Sequence, residues 1–366
     1  MLFLWVTAAF GHGGPPNTED LLWDDSGSML VVSTHGLIYE DGDWDWVCEE
    51  LFGESLPTDV VRTTNTTWVA GTDGLAHSND GCTWTWHPQF DGVLIWDLAI
   101  DPDSGNRMWL VSDEGLWRSD NEGETFTLSP LPAPEAWLRS VVPMPDDQRM
   151  VFGFLDGQAM AWQAGRSTPL DVRSGQLRGL GADESGNVYG RFPRPGGTDE
   201  LLRIDPDMNA VSILETEHRI TAFLAKGDGL MVSVQNEGTH VSDDHGNTWV
   251  WEAEDVYACL IDKDDYIWAC PREESEHMWV RTETPLLESP KQWENGPRFS
   301  DVSGTRCGDE WPVCEDLWPT VALELGVDPL AEFQEEDAVV EPKTGGCGSK
   351  AALVFFPWWL LGRRRA

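Results

Sequence analysis

Ser242-Asp243-Asp244-His245-Gly246-Asn247-Thr248-Trp249 is the stretch on which the reading of this chain turns. It follows an apolar run, Leu230-Met231-Val232-Ser233-Val234, and the shorter Gly238-Thr239-His240-Val241. The order of residue types describes a tight hairpin between two strands. Ser242 and Asp244 carry short acceptors that hold turn amides. Gly246 provides a residue free to take positive φ. Thr248 suits re-entry into a strand, and Trp249 offers a large ring to pack against a neighbouring sheet.

The same order recurs. In Ser119-Asp120-Asn121-Glu122-Gly123-Glu124-Thr125-Phe126, Asn121 takes the Asp place and Phe126 the Trp place. Ser78-Asn79-Asp80-Gly81-Cys82-Thr83-Trp84 is one residue shorter in the turn, and Asp41-Gly42-Asp43-Trp44 is a degenerate fourth. Each sits in a longer unit: apolar strand, acidic or Gly turn, second apolar strand, then a Gly-led third strand. Such units open near positions 21, 66, 98, 150, 183, 230 and 259. Their spacing, roughly 40 residues, is that of a four-stranded propeller blade. A single blade cannot bury both its faces, whereas a ring of blades does. The expected fold is therefore all-β, a seven-bladed β-propeller over 17–284. Trp68, Trp84, Trp109, Trp249 and Trp268 fall at strand positions and are expected in its core.

The three turns resemble the Asp-box, or BNR repeat, of sialidases, sortilin-type receptors and photosystem II assembly factors. The resemblance covers roughly 21–284 and implies fold. It assigns structural roles to Ser78, Asp80, Gly81, Thr83 and Trp84, to Ser119, Asn121, Gly123, Thr125 and Phe126, and to Ser242, Asp244, Gly246, Thr248 and Trp249. In such folds the box lies away from the axial face where ligands usually bind, so it is not a catalytic motif.

Beyond Thr284 the repeat stops. The segment 285–330 reads as a small disulfide-tied cap in which Cys307 and Cys314 bracket a turn and 314–325 forms one short helix; 331–344 reads as an acidic linker. The tail, 345–366, joins a Gly-Gly-Cys347-Gly motif, an apolar run and Arg363-Arg364-Arg365. It resembles the MYXO-CTERM sorting signal, which implies one C-terminal hydrophobic helix, transient membrane contact, processing near Cys347 and display at the cell surface. The apolar first ten residues, with Ala9 and Gly11 two apart, are read as a signal peptide over 1–11.

Six further cysteines, Cys48, Cys82, Cys259, Cys270, Cys307 and Cys314, fit three bridges in an oxidising compartment, and six cysteines allow 15 pairings. A two-residue turn at Asp264-Asp265 places Cys259 opposite Cys270. The net charge of −40 becomes −44 once Lys350 and three arginines leave with the tail. That acidity argues against nucleic acid or anionic membrane as partner. No zinc spacing, calcium loop, nucleophile elbow or phosphate loop occurs, so no catalytic residue, metal ligand or cofactor is assigned.

A sialidase-type site requires three arginines around a carboxylate and a Tyr–Glu pair. The tyrosines are Tyr39, Tyr189, Tyr257 and Tyr266, and Arg191-Phe192-Pro193-Arg194-Pro195 has the composition of the family's Phe-Arg-Ile-Pro signature without its order. The expectation is a non-enzymatic surface module that recognises a protein or glycan. An extracellular glycosidase and an envelope assembly factor are the alternatives.

Overall fold

The computed structural model describes residues 15–327 apart from short stretches, the longest being 130–137. The expected leader, the acidic linker and the sorting signal with Cys347, Arg363, Arg364 and Arg365 lie outside the described residues.

The chain folds into seven consecutive four-stranded antiparallel sheets, each a blade of a β-propeller. The inner strands are Thr18–Trp23, Asp59–Arg62, Ile95–Asp101, Leu138–Pro143, Arg178–Ala182, Ile220–Lys226 and Tyr257–Lys263. Each inner strand touches the next, and the seventh touches the first, so the ring is closed.

Alternation along the second strands explains why they read as continuous apolar runs. In blade three (Ser104–Ser112), Met108 and Leu110 pack with residues of blade two, while Trp109 and Val111 pack with blade four. In blade six (Gly229–Val234), Leu230, Val232 and Val234 face blade five and Met231 faces blade seven. Successive side chains point to opposite faces of a strand. A sheet sandwiched between two others therefore needs apolar residues on both. The core is correspondingly a series of inter-blade clusters.

The outer strand of blade seven is Glu294–Asn295, ten residues past the expected boundary at 284. It is two exposed residues long, which is why no apolar pattern marks it. The segment after it straps the ring. Val302–Thr305 pairs in parallel with the outer strand of blade one, Asp43–Val47, as a fifth strand. Helix α1, Pro312–Leu325, then lies against blade one through Trp318, whose ring centroid is 5.8 Å from that of Trp46, and through Glu324 Oε2, 3.0 Å from His35 Nε2. Cys307 and Cys314 bond to the blades and not to each other: Cys82–Cys307 and Cys48–Cys314. The third bridge is Cys259–Cys270, across the hairpin whose turn residues Asp264 and Asp265 have φ of 53° and 68°. Among the described residues no helix is long and apolar enough to cross a membrane.

Candidate functional site

Strand order gives the ring two unlike faces. Turns joining first to second and third to fourth strands lie on one, the lower face; starts of inner strands and ends of second strands lie on the other, the upper face.

The lower face carries the hairpin turns. Ser242 Oγ donates to Asp244 Oδ1 (2.9 Å) and accepts from Gly246 N (2.8 Å), while Thr248 donates to Asp244 through both N and Oγ1 (2.8 Å each). The Thr248 backbone N–H, more than any other group, holds the Asp244 carboxyl below its ordinary range. Gly123 N donates to Ser119 Oγ (2.9 Å) and Thr125 N to Asn121 Oδ1 (3.1 Å). In the shorter turn Gly81 N donates to Ser78 Oγ (2.9 Å) and Thr83 N to Asp80 Oδ1 (2.7 Å). What it lacks is the left-handed residue before the glycine, His245 and Glu122 in the other two (φ 55° each). Trp84 and Phe126 are buried; Trp249 is half-buried and donates its indole N–H to Ile213 O of blade five (2.7 Å). These residues brace adjacent blades.

Lower-face turns also concentrate acid: Asp24, Asp183, Asp228, Asp264 and Asp265, with Asp80, Asp120, Asp205, Asp207 and Asp244. Arg62, Arg107, Arg118 and Arg281 on that side are each ion-paired, and Arg203 donates to His245 O (2.8 Å).

The upper face differs. Arg139, Arg178, Arg219 and Arg272 stand at the inner-strand starts of blades four to six and the second-strand end of blade seven. Among the described residues none of these four has a carboxylate within ion-pair distance. The Arg139 guanidinium instead lies over Trp96, 3.1 Å from the ring centroid, and Trp96 Nε1 donates to Asp113 (2.8 Å). Beside them Arg191 is buried, with Nε 3.0 Å from Asp199 Oδ2 and Nη1 donating to Ile220 O (2.9 Å). Burial lowers the Arg191 pKa to about 10, Asp199 raises it, and the like charges of Arg219 and Arg178 lower it further. Arg178 thus acts on Arg139, on Arg191 and on Asp97 of blade three.

Asp97 belongs to a set of inner-strand carboxylates with Asp20 and Asp59. Asp59 Oδ2 accepts from Leu98 N (3.0 Å) and Asp97 Oδ2 from Val141 N (2.7 Å), each reaching into the next blade. Burial pushes Asp20 and Asp97 up to about 6, and burial with the charge of Asp97 pushes Asp59 well up. Asp59 and Asp97 are neighbours, each acting on the protonation of the other.

Tyrosine is not where a sialidase needs it. Tyr266 Oη donates to Glu283 (2.6 Å), but on the lower face; Tyr189 donates to Asp183 (2.9 Å), also there; Tyr257 is buried against Trp293. Neither the arginine face nor the inner-strand aspartates were found by sequence. For the aspartates a signal existed: Asp20-Leu21, Asp59-Val60 and Asp97-Leu98 each put Asp before an apolar residue within the first half of three successive inner strands. The arginines share no motif.

No protein-family model and no curated protein matches the sequence. The fold is similar to that of a GH74 xyloglucanase from Xanthomonas campestris (TM-score 0.56, 15% identity, 78% of this chain and 55% of that one). It is similar to YCF48 bound to a D1 peptide (0.53, 17%, 76% and 95%) and to PorZ, a surface component of the type-IX secretion system of Porphyromonas gingivalis (0.51, 12%, 78% and 38%). The chain spans about half the length of the GH74 enzymes it resembles. At these identities the likeness shows the fold alone, a seven-bladed β-propeller.

Proposed function

We infer that this protein is a non-enzymatic recognition module of the cell exterior, and that its upper face binds a carboxylate-bearing segment of a partner protein. One observation carries the reading. In a chain of net charge −40, four arginines with no carboxylate at ion-pair distance among the described residues stand on the upper face, while Arg203, on the lower, donates to His245 O. Unpaired guanidinium groups there are forks for carboxylates. The upper face has carboxylates of its own, Asp113, Glu114 and Glu237 among them, while the acid of the lower face is screened from the arginines over a Debye length of about 8 Å. YCF48, with this fold, has been seen with a peptide bound. Three disulfides and the extracellular neighbours support export. We read the lower turns as Asp-boxes and the tail as a sorting signal that places the propeller at the surface.

The test is fluorescence anisotropy with a labelled Glu-rich peptide ending in a free carboxylate. Binding should weaken with salt, and R139E/R178E/R219E should abolish it while the lower-face change K226E leaves it intact. Equal binding by the triple variant would overturn the reading, and so would turnover of xyloglucan or a sialoside, which would establish the glycosidase instead.

A further inference from the structure

On the other side of the molecule from the arginines, a cleft of about 770 Å³ opens between the outer half of blade two and the hairpin turn of blade three. That is the size of a small-ligand site. It exists because the turn of blade three ends in Gly123. A side chain there would overlap the Trp68 ring, and the turn would be driven outward.

The walls mix polar and apolar surface and lack any Lys or Arg. Trp68, His77 and His87 form the floor, and Asn79, Gln89 and Asn121 are among the residues around it. Trp68 and His77 stack with ring centroids 4.6 Å apart, and His87 packs edge-on against Phe126 at 5.4 Å. These contacts fix the imidazoles. Burial lowers the pKa of both, and for His77 the neighbouring His87 lowers it further. His87 is spent within the protein, its Nδ1 accepting from Gln89 N (3.3 Å) and its ring bonded to the Glu124 backbone, while His77 is bonded to the Thr85 backbone. The remaining nitrogen of a neutral His77, Nδ1, is an acceptor.

Trp68 is only 3% exposed, yet its indole N–H has no acceptor in the protein. His77 Nδ1 is likewise buried without a partner. Buried polar atoms are nearly always satisfied. An orphaned donor, Trp68 Nε1, and an orphaned acceptor, His77 Nδ1, in the residues that wall a cleft point to a ligand whose groups both accept and donate. The ligand is not an anion, since no cation lines the site and Glu122 and Glu124 stand at its rim. A metal is also a poor fit: among the described residues no group of three or more His, Cys, Asp or Glu side chains is placed to hold one. What the walls match is a neutral molecule dense in hydroxyls, each both donor and acceptor, set against amides, the His77 acceptor and an indole N–H.

We propose that the cleft between blades two and three is a second binding site, for one or two residues of an uncharged saccharide. It is independent of the arginine face and would let one propeller hold a glycan below and a polypeptide above.

The test is calorimetric titration of the full chain with lactose, cellotetraose and xylotetraose, and with glucuronate as the charged comparison. At least one neutral sugar should bind, and glucuronate should not. W68F deletes the N–H together with part of a buried ring, so it should weaken binding at least tenfold and also lower the melting temperature. N79A, whose side chain lies outside the core, should weaken it too. R139E/R178E/R219E should bind the sugar as the native chain does, which separates this site from the upper one. Absence of heat from every neutral sugar at 10 mM, or affinity unchanged in both W68F and N79A, would overturn the proposal.

Discussion

Asp97 stands at the axis with an ionised form that the fold disfavours. Burial pushes its carboxyl up to about 6, against the ordinary 3.9 or so of an unfolded chain. Between those values the folded protein holds a proton that the unfolded chain has released. Stability contributed by the protonated form is therefore complete below about pH 4 and is lost as pH rises through about 6. A shift of about two units corresponds to at most ~3 kcal/mol. Because the side chain is only half-buried, we expect ~1–2 kcal/mol. D97N keeps an acceptor for Val141 N and removes the titration. Urea unfolding should find the two proteins alike at pH 4 and the variant more stable at pH 7. Parallel stability curves across this window would show that the aspartate is freely hydrated.

The hairpin turn is the element in which sequence and structure coincide most closely, because everything that shapes it lies within eight residues. Ser, Asp or Asn, Gly and Thr name the bonds that form, and even the shortened turn keeps them. Its fit to the preceding blade is less legible. Gly81 abuts Tyr39, Gly123 abuts Trp68 and Gly246 abuts Ile213, and no local pattern announces those partners. Two substitutions separate the local part from the packed part. Gly42 has φ +87° and open space around it, while Gly123 has φ +90° and the Trp68 ring against it. G42A should cost about 1 kcal/mol, the strain of left-handed backbone. G123A adds overpacking and should cost about 3 kcal/mol. Equal losses in chemical denaturation would mean that the turns do not brace the blades. The same limit explains the upper face. Arg139, Arg178, Arg219 and Arg272 are far apart in the chain and become neighbours only when the ring forms, so repeat analysis finds the ring and not the face it creates.

At the scale of the whole molecule, closure is the step on which the rest depends. A ring of near-identical blades has a seam wherever its ends meet, here between blades seven and one. The chain does not mix strands from both ends in one four-stranded blade. Blade one is completed by its own four strands, and the C-terminal segment is laid outside it and bolted on by Cys48–Cys314 and Cys82–Cys307, bridging 266 and 225 residues. Crosslinks over such loops restrict the unfolded chain by up to about 5 kcal/mol each. The two loops enclose nearly the same residues, so once one is closed the other removes little further entropy, and their effects are not additive. Either pair replaced by alanine should cost about 1–3 kcal/mol, and all four replacements about 4–5 kcal/mol, well short of twice the single-loop value. The strap would then rest on the Val302–Thr305 ladder, the Trp46–Trp318 contact and the His35–Glu324 pair. Cleavage between 296 and 311 by a trace of protease should accordingly appear in the fourfold variant before global unfolding, and not in the native chain. If that variant keeps the native unfolding midpoint and resists the protease, the seam is held by the inner-strand contacts alone and the bridges are incidental to the ring.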